Sequence, residues 1–502
     1  MNSENSFAGA KLPSDKLQQN IDYLRHLFTG DDTLIFRLLE NNRGKKTMRF
    51  CLVYVDGMVN NRLMNQDVIR PLLEFVFQTH EGQSLIDTVQ MQAMFANDAK
   101  KTDSIDELIQ GIVYGDTALL LEGCAQALVL NTKGFSLRSI TEPESERAIR
   151  GPREGFNESI LTNLSMLRRK IRTPDLKFQF MTFGRRTKTK ACICYLDSVA
   201  NHAVLKELKE RLRKIDIDGT LDSNYITEII KDAPYSAVKT VGSTERPDVV
   251  AAKLLEGRVA LFLDGTPMVL TVPHLFIEHF QDDEDYYLNY YFTCIGRMLR
   301  IFAFVVSCCL PAVYVGLVTF HQELLPSPLL FSVITARQGL PFPTALETTL
   351  MLIVFEMLRE SGARMPGLMG QTLSIVGALV IGQAAVNAKI VSAPIIIVVG
   401  LTGISGLMVT RLKGYMIWHR FILLACVCVL GLYGLILGVL IMLAGVFSIT
   451  SFGVPIMSGI YTRSMKDYKD IYVRAPWWVM IRRPKFLSGN RVRQSRGGEK
   501  SK

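Results

Sequence analysis

Apolar positions along this chain keep two different rhythms. Up to about residue 280 they come in short runs bounded by turn residues or spaced for one helix face, which predicts an α/β fold of short strands and amphipathic helices. From Leu299 onward the runs lengthen to about 20 residues, the span a helix needs to cross hydrocarbon. Four runs have that length: Leu299–Phe320, Pro366–Ala388, Val391–Thr410 and Phe421–Phe447. Apolar character continues from the last one through Ile460, so residues 421–460 fit either a hairpin of two short spans turning near Gly438 or one tilted span with an interfacial piece. A shorter run, Thr344–Leu358, carries Glu347 and Glu356. A carboxylate facing lipid is costly, which predicts a broken, re-entrant or protein-surrounded helix there. The two carboxylates are candidates for attracting cations or coupling helices, and an ion pair with Arg359 or Arg364 is the plainer alternative.

The first 280 residues also contain an internal repeat. Cys51-Leu-Val-Tyr-Val-Asp56 resembles Cys192-Ile-Cys-Tyr-Leu-Asp197, and Ala118-Leu-Leu-Leu-Glu-Gly123 resembles Ala260-Leu-Phe-Leu-Asp-Gly265. The offsets are about 141–142 residues, close enough to predict two similar α/β lobes. A second short apolar run follows each of the later pair, Ala127–Leu130 and Met268–Val272, as in a hairpin.

Charge sharpens the division. Hydrophobic residues are 48% and charged residues 21% of 502, with a net charge of +10 and a mean hydropathy of +0.20. Positions 301–462 hold only 11 charged side chains and no Asp, whereas 463–502 hold 12 Lys/Arg against 3 Asp/Glu. The predicted organisation is a polar N-terminal segment 1–30, a first α/β lobe 31–146, a basic connecting segment 147–190 and a second lobe 191–285. A transmembrane helical block 299–460 and a basic tail 463–502 follow. The fold class is thus an α/β N-terminal half plus an α-helical multi-pass membrane domain. The opening residues hold no apolar run of signal-peptide length, which predicts a cytoplasmic N-terminal half. Arg297 and Arg300 before the first span, three basic residues in 411–420 and the basic tail all ask for the cytoplasmic side. Both ends are then cytoplasmic and the number of crossings is even, four or six.

Inside the spans, polar and small residues mark what each helix touches. On Pro366–Ala388, at 100° per residue, Gln371, Ser374, Ala378 and Gly382 share a face suited to close helix packing. Thr372, Val376, Gln383 and Asn387 share another, with Val380 at its edge. Amides and hydroxyls around a valine waist suit a water-filled pore with an apolar gate, and ordinary interhelical hydrogen bonding is the alternative. Gly434 and Gly438 form a further close-packing pair.

Candidate chemistry is sparse. The sequence has no GxSxG, no HExxH, no GxxxxGK[ST] and no GxGxxG after a strand, so no catalytic residues, cofactor or metal site are predicted. The nine cysteines form no matched CxxC pairs and read as buried apolar side chains. Residues 147–190 carry 12 Lys/Arg against Glu154, Glu158 and Asp175, including Arg168-Arg-Lys170. That stretch is either a phosphate- or headgroup-binding surface or a solvated linker or acidic-surface contact. It lacks the aromatic interleaving of an RNA-binding face, so nucleic acid is not expected. Asp282-Asp-Glu-Asp285 could concentrate cations at a pore mouth or simply be a solvated juncture.

Several long motifs carry a resemblance. Leu310-Pro-Ala-Val-Tyr-Val, Phe320-His-Gln-Glu-Leu-Leu-Pro-Ser-Pro328 and Gly370-Gln-Thr-Leu-Ser-Ile-Val-Gly-Ala-Leu-Val-Ile-Gly-Gln-Ala-Ala385 resemble the A subunits of spore germinant receptors, the GerA family. Glu144-Ser-Glu-Arg-Ala-Ile-Arg-Gly-Pro-Arg-Glu-Gly-Phe156 and Val272-Pro-His-Leu-Phe276 are similar to the same family, which includes the related stage V sporulation protein AF. The resemblance implies a multi-pass protein of the spore inner membrane, not an enzyme. It would work with a permease-like B subunit and a lipoprotein C subunit. It further implies a homo-oligomer, a pentamer, forming a nutrient-gated ion channel in contact with membrane lipids. An accessory, non-conducting scaffold like stage V sporulation protein AF is the alternative. No pore residue transfers by motif, so the face named above rests on periodicity.

Overall fold

The computed structural model describes residues 12–488 and 493, apart from 13, 45–46, 78–82, 95–97, 135–145, 147–149, 365–376, 378–379, 461–469, 481 and 485–486. The chain forms two compact units. The sheet unit comprises residues 1–234, 241–274 and 480–502, and the helical unit 235–240 and 275–479.

The sheet unit contains two five-stranded antiparallel sheets. The first is built from β1 (Leu34–Asn41), β2 (Met48–Val55), β3 (Ala99–Thr102), β4 (Thr117–Leu121) and β5 (Ala127–Leu130), in the order β1-β2-β4-β5-β3. The second is built from β6 (Leu176–Phe183), β7 (Thr189–Leu196), β8 (Gly242–Thr244), β9 (Val259–Leu263) and β10 (Val269–Val272), in the equivalent order β6-β7-β9-β10-β8. The repeat extends to individual residue pairs: Cys51 faces Leu120 across β2–β4, and Cys192 faces Phe262 across β7–β9. Each partner is displaced by the same offset that the two sequence pairs showed.

β2 is rich in branched and aromatic residues, which favour a pleated strand. Its side chains alternate between two cores. Phe50, Leu52 and Tyr54 join one, with Met64, Val68 and Leu72 from the helical stretch 61–74. Cys51, Val53 and Val55 join the other, with α1 (Leu17–Leu27) and α2 (Ile105–Tyr114). Helix α1 buries Leu17, Ile21 and Leu24 at helical spacing, so residues 17–27 are core and not part of a polar leader.

The basic stretch 147–190 is likewise not a connector. It supplies α3 (Ile160–Lys170), which buries Ile160, Leu164 and Leu167, and then the edge strand β6. Helices α4 (His202–Arg213), α5 (Ser223–Ile230) and α6 (Pro247–Leu255) complete this half. From residue 480 onward the described part of the C-terminal tail belongs to the sheet unit and packs on the same half. Arg483 Nε donates to the Leu255 carbonyl at 2.6 Å, Ser488 Oγ to the Val199 carbonyl at 2.9 Å, and Arg493 Nη2 to Glu256 Oε1 at 2.8 Å.

The helical unit contains α7 (Tyr290–Thr319), α8 (Ser327–Arg337), α9 (Thr344–Arg364), helical residues 380–387, α10 (Ala393–Leu407) and α11 (Lys413–Phe447). Among the described residues, two helical segments, Tyr290–Thr319 and Thr410–Phe447, are long and apolar enough to cross a membrane by length and composition, and α10 is a shorter apolar helix. The Thr344 run is a continuous helix of 21 residues.

Within α11 the chain reverses at Gly431, whose φ of 59° and ψ of −145° are non-helical. A Cβ on Gly438 would lie 2.7 Å from Leu423 Cδ2, and one on Gly434 would collide with the Cys426 carbonyl. In an unbroken helix residues 423 and 438 would be about 22 Å apart. Residues 413–430 and 432–447 are therefore the two arms of a tight hairpin. The turn falls at Gly431 and not near Gly438, because Gly431 takes the positive φ that side chains resist. Gly434 and Gly438 instead lie where the arms press together.

Candidate functional site

Three polar clusters lie in the helical unit. The first surrounds the acidic run before α7. Asp285 is buried and accepts from Arg297 Nε at 2.8 Å and from Arg300 Nη2 at 2.9 Å. Arg297, 1% exposed, also reaches Asp470 Oδ1 at 3.0 Å, and Asp283 binds Arg411 Nη2 at 3.2 Å. Asp283 and Asp285 thus face the chain's own arginines, which leaves them poorly placed as a cation-concentrating mouth. The pairing also gathers the start of α7 and the residues before α11 at one end of the unit. Ile456 joins that end, where its carbonyl accepts from Phe276 N at 2.9 Å.

The second cluster is centred on Arg420. The sequence counted this residue among loop charges, yet it lies inside α11 and is 1% exposed. Its Nη1 donates to Glu356 Oε1 of α9 at 2.9 Å, and Glu356 also pairs with Arg359 one turn along its own helix. Arg364 pairs with Glu360 instead. The third cluster is centred on Glu347, which is fully buried. Its Oε1 accepts from the backbone N–H of Ser392, the residue that starts α10, so the carboxylate caps the positive end of that helix. Arg337 Nε stands 3.9 Å from its other oxygen. Both carboxylates are surrounded by protein.

These contacts also fix helix directions. Glu347 lies beside Ser392, and a Cβ on Gly403 would collide with the Phe355 ring, so α9 and α10 run the same way. The first arm of α11 likewise runs with α7: Arg420 meets Ser307, and Gly431 packs on Phe320 and His321. The Phe320–Pro328 motif therefore ends α7 and receives the hairpin tip.

Of the proposed pore face, Val380, Gln383 and Asn387 are described. All three are exposed on the same side of helical residues 380–387, Val380 at 57%. Gly382 is buried, and a Cβ there would lie 3.4 Å from Ile396 Cδ1 of α10. Thr372, Val376, Gln371, Ser374 and Ala378 lie outside the described residues.

The Arg168–Lys170 run in the sheet unit is not a free anion surface. Arg168 is buried with Asp31, Nη2 to Oδ2 at 2.5 Å, where the first half meets the second. Arg169 and Lys170 both pair with Glu154, at 3.1 and 3.2 Å. Backbone bonds join the same seam: Asp32 N donates to the Phe178 carbonyl at 2.8 Å, and Phe180 N to Asp32 Oδ2 at 2.8 Å. Within the Glu144–Phe156 motif, Glu146 Oε2 accepts from Thr244 Oγ1 at 2.5 Å. The core thiols are unreactive by burial, which pushes Cys51 up to about 12 and holds Cys192 and Cys194 well above the ordinary thiol value. Among the described residues no group of three or more His, Cys, Asp or Glu is placed to hold a metal ion.

Sequence reasoning missed Arg420 and Asp470 as structural partners. An arginine seven residues into an apolar helix was the available signal for the first, since a charge there needs company. Asp470 had none.

Comparison with known proteins places the chain. Residues 22–486 match the family described as Bacillus/Clostridium GerA spore germination protein. The Bacillus subtilis proteins named uncharacterized membrane protein YfkQ and spore germination protein KA are each 41% identical to it, covering 94% and 97% of this chain and 91% and 89% of their own lengths. Spore germination protein GerLA of Bacillus cereus is 36% identical over 88% of this chain and 89% of its own. The crystal structure of the N-terminal domain of the A subunit of the Bacillus megaterium spore germinant receptor GerK3 aligns with 53% of this chain and 98% of its own at 30% identity, with a TM-score of 0.39. This chain belongs to the GerA family of spore germination proteins.

Proposed function

We propose that this chain is the A subunit of a germinant receptor in the spore inner membrane, and that copies of it assemble, as a pentamer, around a nutrient-gated ion pore. It works with a permease-like B subunit and a lipoprotein C subunit. Six crossings fit best: α7, α9, the 366–388 run, α10 and the two arms of α11. The parallel course of α9 and α10 supports the return passage between them, and the hairpin supplies the last two. Both ends then lie in the cytoplasm, in keeping with a C-terminal tail that packs in the same unit as the N-terminal sheets.

One observation carries the pore reading. Gln383 and Asn387 present exposed carboxamides beside Val380 on an otherwise apolar helix, while Gly382 on another side is buried. Amides facing lipid would lose their hydrogen bonds, so this face suits a water-filled passage closed by valines. Thr372 and Val376 continue the face by periodicity. Gln371, Ser374, Ala378, Gly382, Gly434 and Gly438 pack helices. Glu347 and Glu356 couple helices and do not attract ions, since each is engaged within the protein.

The test is ion retention and conductance. Val376→Ala or Val380→Ala should make spores lose ions without nutrient, and the purified oligomer in liposomes should conduct more. Unchanged retention and nutrient response in both variants would sink the pore assignment. An absence of conductance with and without the B and C partners would favour a non-conducting scaffold.

A further inference from the structure

Pro311 lies inside α7. Proline has no N–H, so the carbonyl four residues earlier, that of Ser307, loses its helical donor. Ser307 is completely buried, and an unbonded carbonyl at such a place is costly. Arg420 fills the gap from another helix. Its Nε donates to the Ser307 carbonyl at 2.9 Å and its Nη2 to Ser307 Oγ at 2.8 Å. The same guanidinium sends Nη1 to Glu356 Oε1 of α9 at 2.9 Å. Helix α10 passes closely at this level: a Cβ on Gly406 would lie 3.2 Å from Ser307 Oγ.

Arg420 could serve merely as the counter-ion of Glu356. That task is already shared by Arg359, one turn from Glu356 on α9. No residue at the fourth position after Ser307 can take over the other task, because that position is Pro311. A planar fork with fixed N–H directions suits a simultaneous bond to a carbonyl, a hydroxyl and a carboxylate, and a lysine does not.

We infer that Arg420 is a surrogate donor for α7: it supplies the hydrogen bond that Pro311 removes, and in doing so ties α7 at its proline to α9 and α11. Arg420 is thus a positioning residue for the helical unit, and Pro311 and Arg420 act as one device although 109 positions separate them.

A double-mutant cycle on the full chain in detergent tests this, with helical unfolding followed by circular dichroism. Arg420→Met should lower the midpoint by roughly 5 °C in the parent background. Pro311→Ala restores an N–H to the helix, so Arg420→Met in that background should cost less than half as much. Equal losses in the two backgrounds would overturn the inference. If Arg420→Met does not fold, Arg420→Lys serves, since it keeps a charge near Glu356 but lacks the fork. It should lower the midpoint when Pro311 is present and recover when combined with Pro311→Ala. Parental behaviour of the lysine variant in both backgrounds would mean a counter-ion only. Amide hydrogen exchange supplies a second readout: positions 308–315 should exchange faster in Arg420→Lys alone and not in Arg420→Lys combined with Pro311→Ala. All of these are measured on the purified chain and are independent of conductance.

Discussion

Arg168 in the sheet unit and Arg420 in the helical unit are each 1% exposed, but they are bonded very differently. Arg168 puts Nη2 on Asp31 and Thr33 and lies over the Phe178 ring, while its Nε and Nη1 have no hydrogen-bond partner. Arg420 uses Nε, Nη1 and Nη2 on three acceptors. The difference belongs to the two residues and not to their units: Arg297, also 1% exposed and in the helical unit, leaves Nη2 without a hydrogen-bond partner, whereas Arg420 stands beside a carbonyl that Pro311 has freed. The first arginine holds two sheets together by charge, and the second holds helices together by geometry.

The sharpest way to break this contrast is to strip each unit of one partner. Arg168→Met leaves the buried Asp31 carboxylate without its guanidinium partner, held only by the backbone N–H and hydroxyl of Thr33 and the field of Lys177, and should cost about 3–5 kcal/mol in denaturant unfolding of the sheet signal. Replacing both partners with apolar residues of similar size should recover most of that loss, because the pair itself has a large desolvation cost. Next in size is Leu52→Ala, which empties a fully buried site in the first sheet. It should cost about 2–5 kcal/mol in the same measurement and leave the helical signal unchanged. An equal loss in both signals would mean that the units unfold as one.

Gly431→Ala probes the helical unit more gently. The substitution meets a positive φ and lies 3.1 Å from Phe320 Cβ, so a loss of roughly 1–2 kcal/mol is expected. Gly445→Ala, with nothing within 4 Å, should be close to neutral and is the control. The smallest effect concerns Asp116. Burial raises its carboxyl above the ordinary 3.8 even though Lys133 stands 2.9 Å away. A raised carboxyl penalises the folded state once ionised, so the penalty is present above the folded value and absent below 3.8. Asp116→Asn should therefore melt slightly higher than the parent at neutral pH, and the difference should close as pH falls toward 3.8.

Much of the sheet unit was legible because its information is local. Unbroken apolar runs in Met48–Val55 and Thr189–Leu196 encode two-sided burial, and a strand pair repeated at a fixed offset carries its neighbours with it. The helical unit was less legible because its decisive contacts are distant. Arg297 meets Asp470 across 173 positions and Arg420 meets Glu356 across 64. Arg297, Arg300, Arg411 and Arg420 look like free topological markers in the sequence, yet each has an acidic partner in the fold. Glycines posed a related problem. Gly431, Gly434 and Gly438 are chemically identical, and only the backbone distinguishes the one that turns from the two that admit a neighbouring arm.

The tail that packs through Arg483, Ser488 and Arg493 has a consequence for synthesis. Residues 1–274 leave the ribosome first, but the segment that completes their unit arrives after every residue of the helical unit has been made. The contacts that residues 480–502 make with the sheet unit can therefore form only after residues 275–479 have been synthesised.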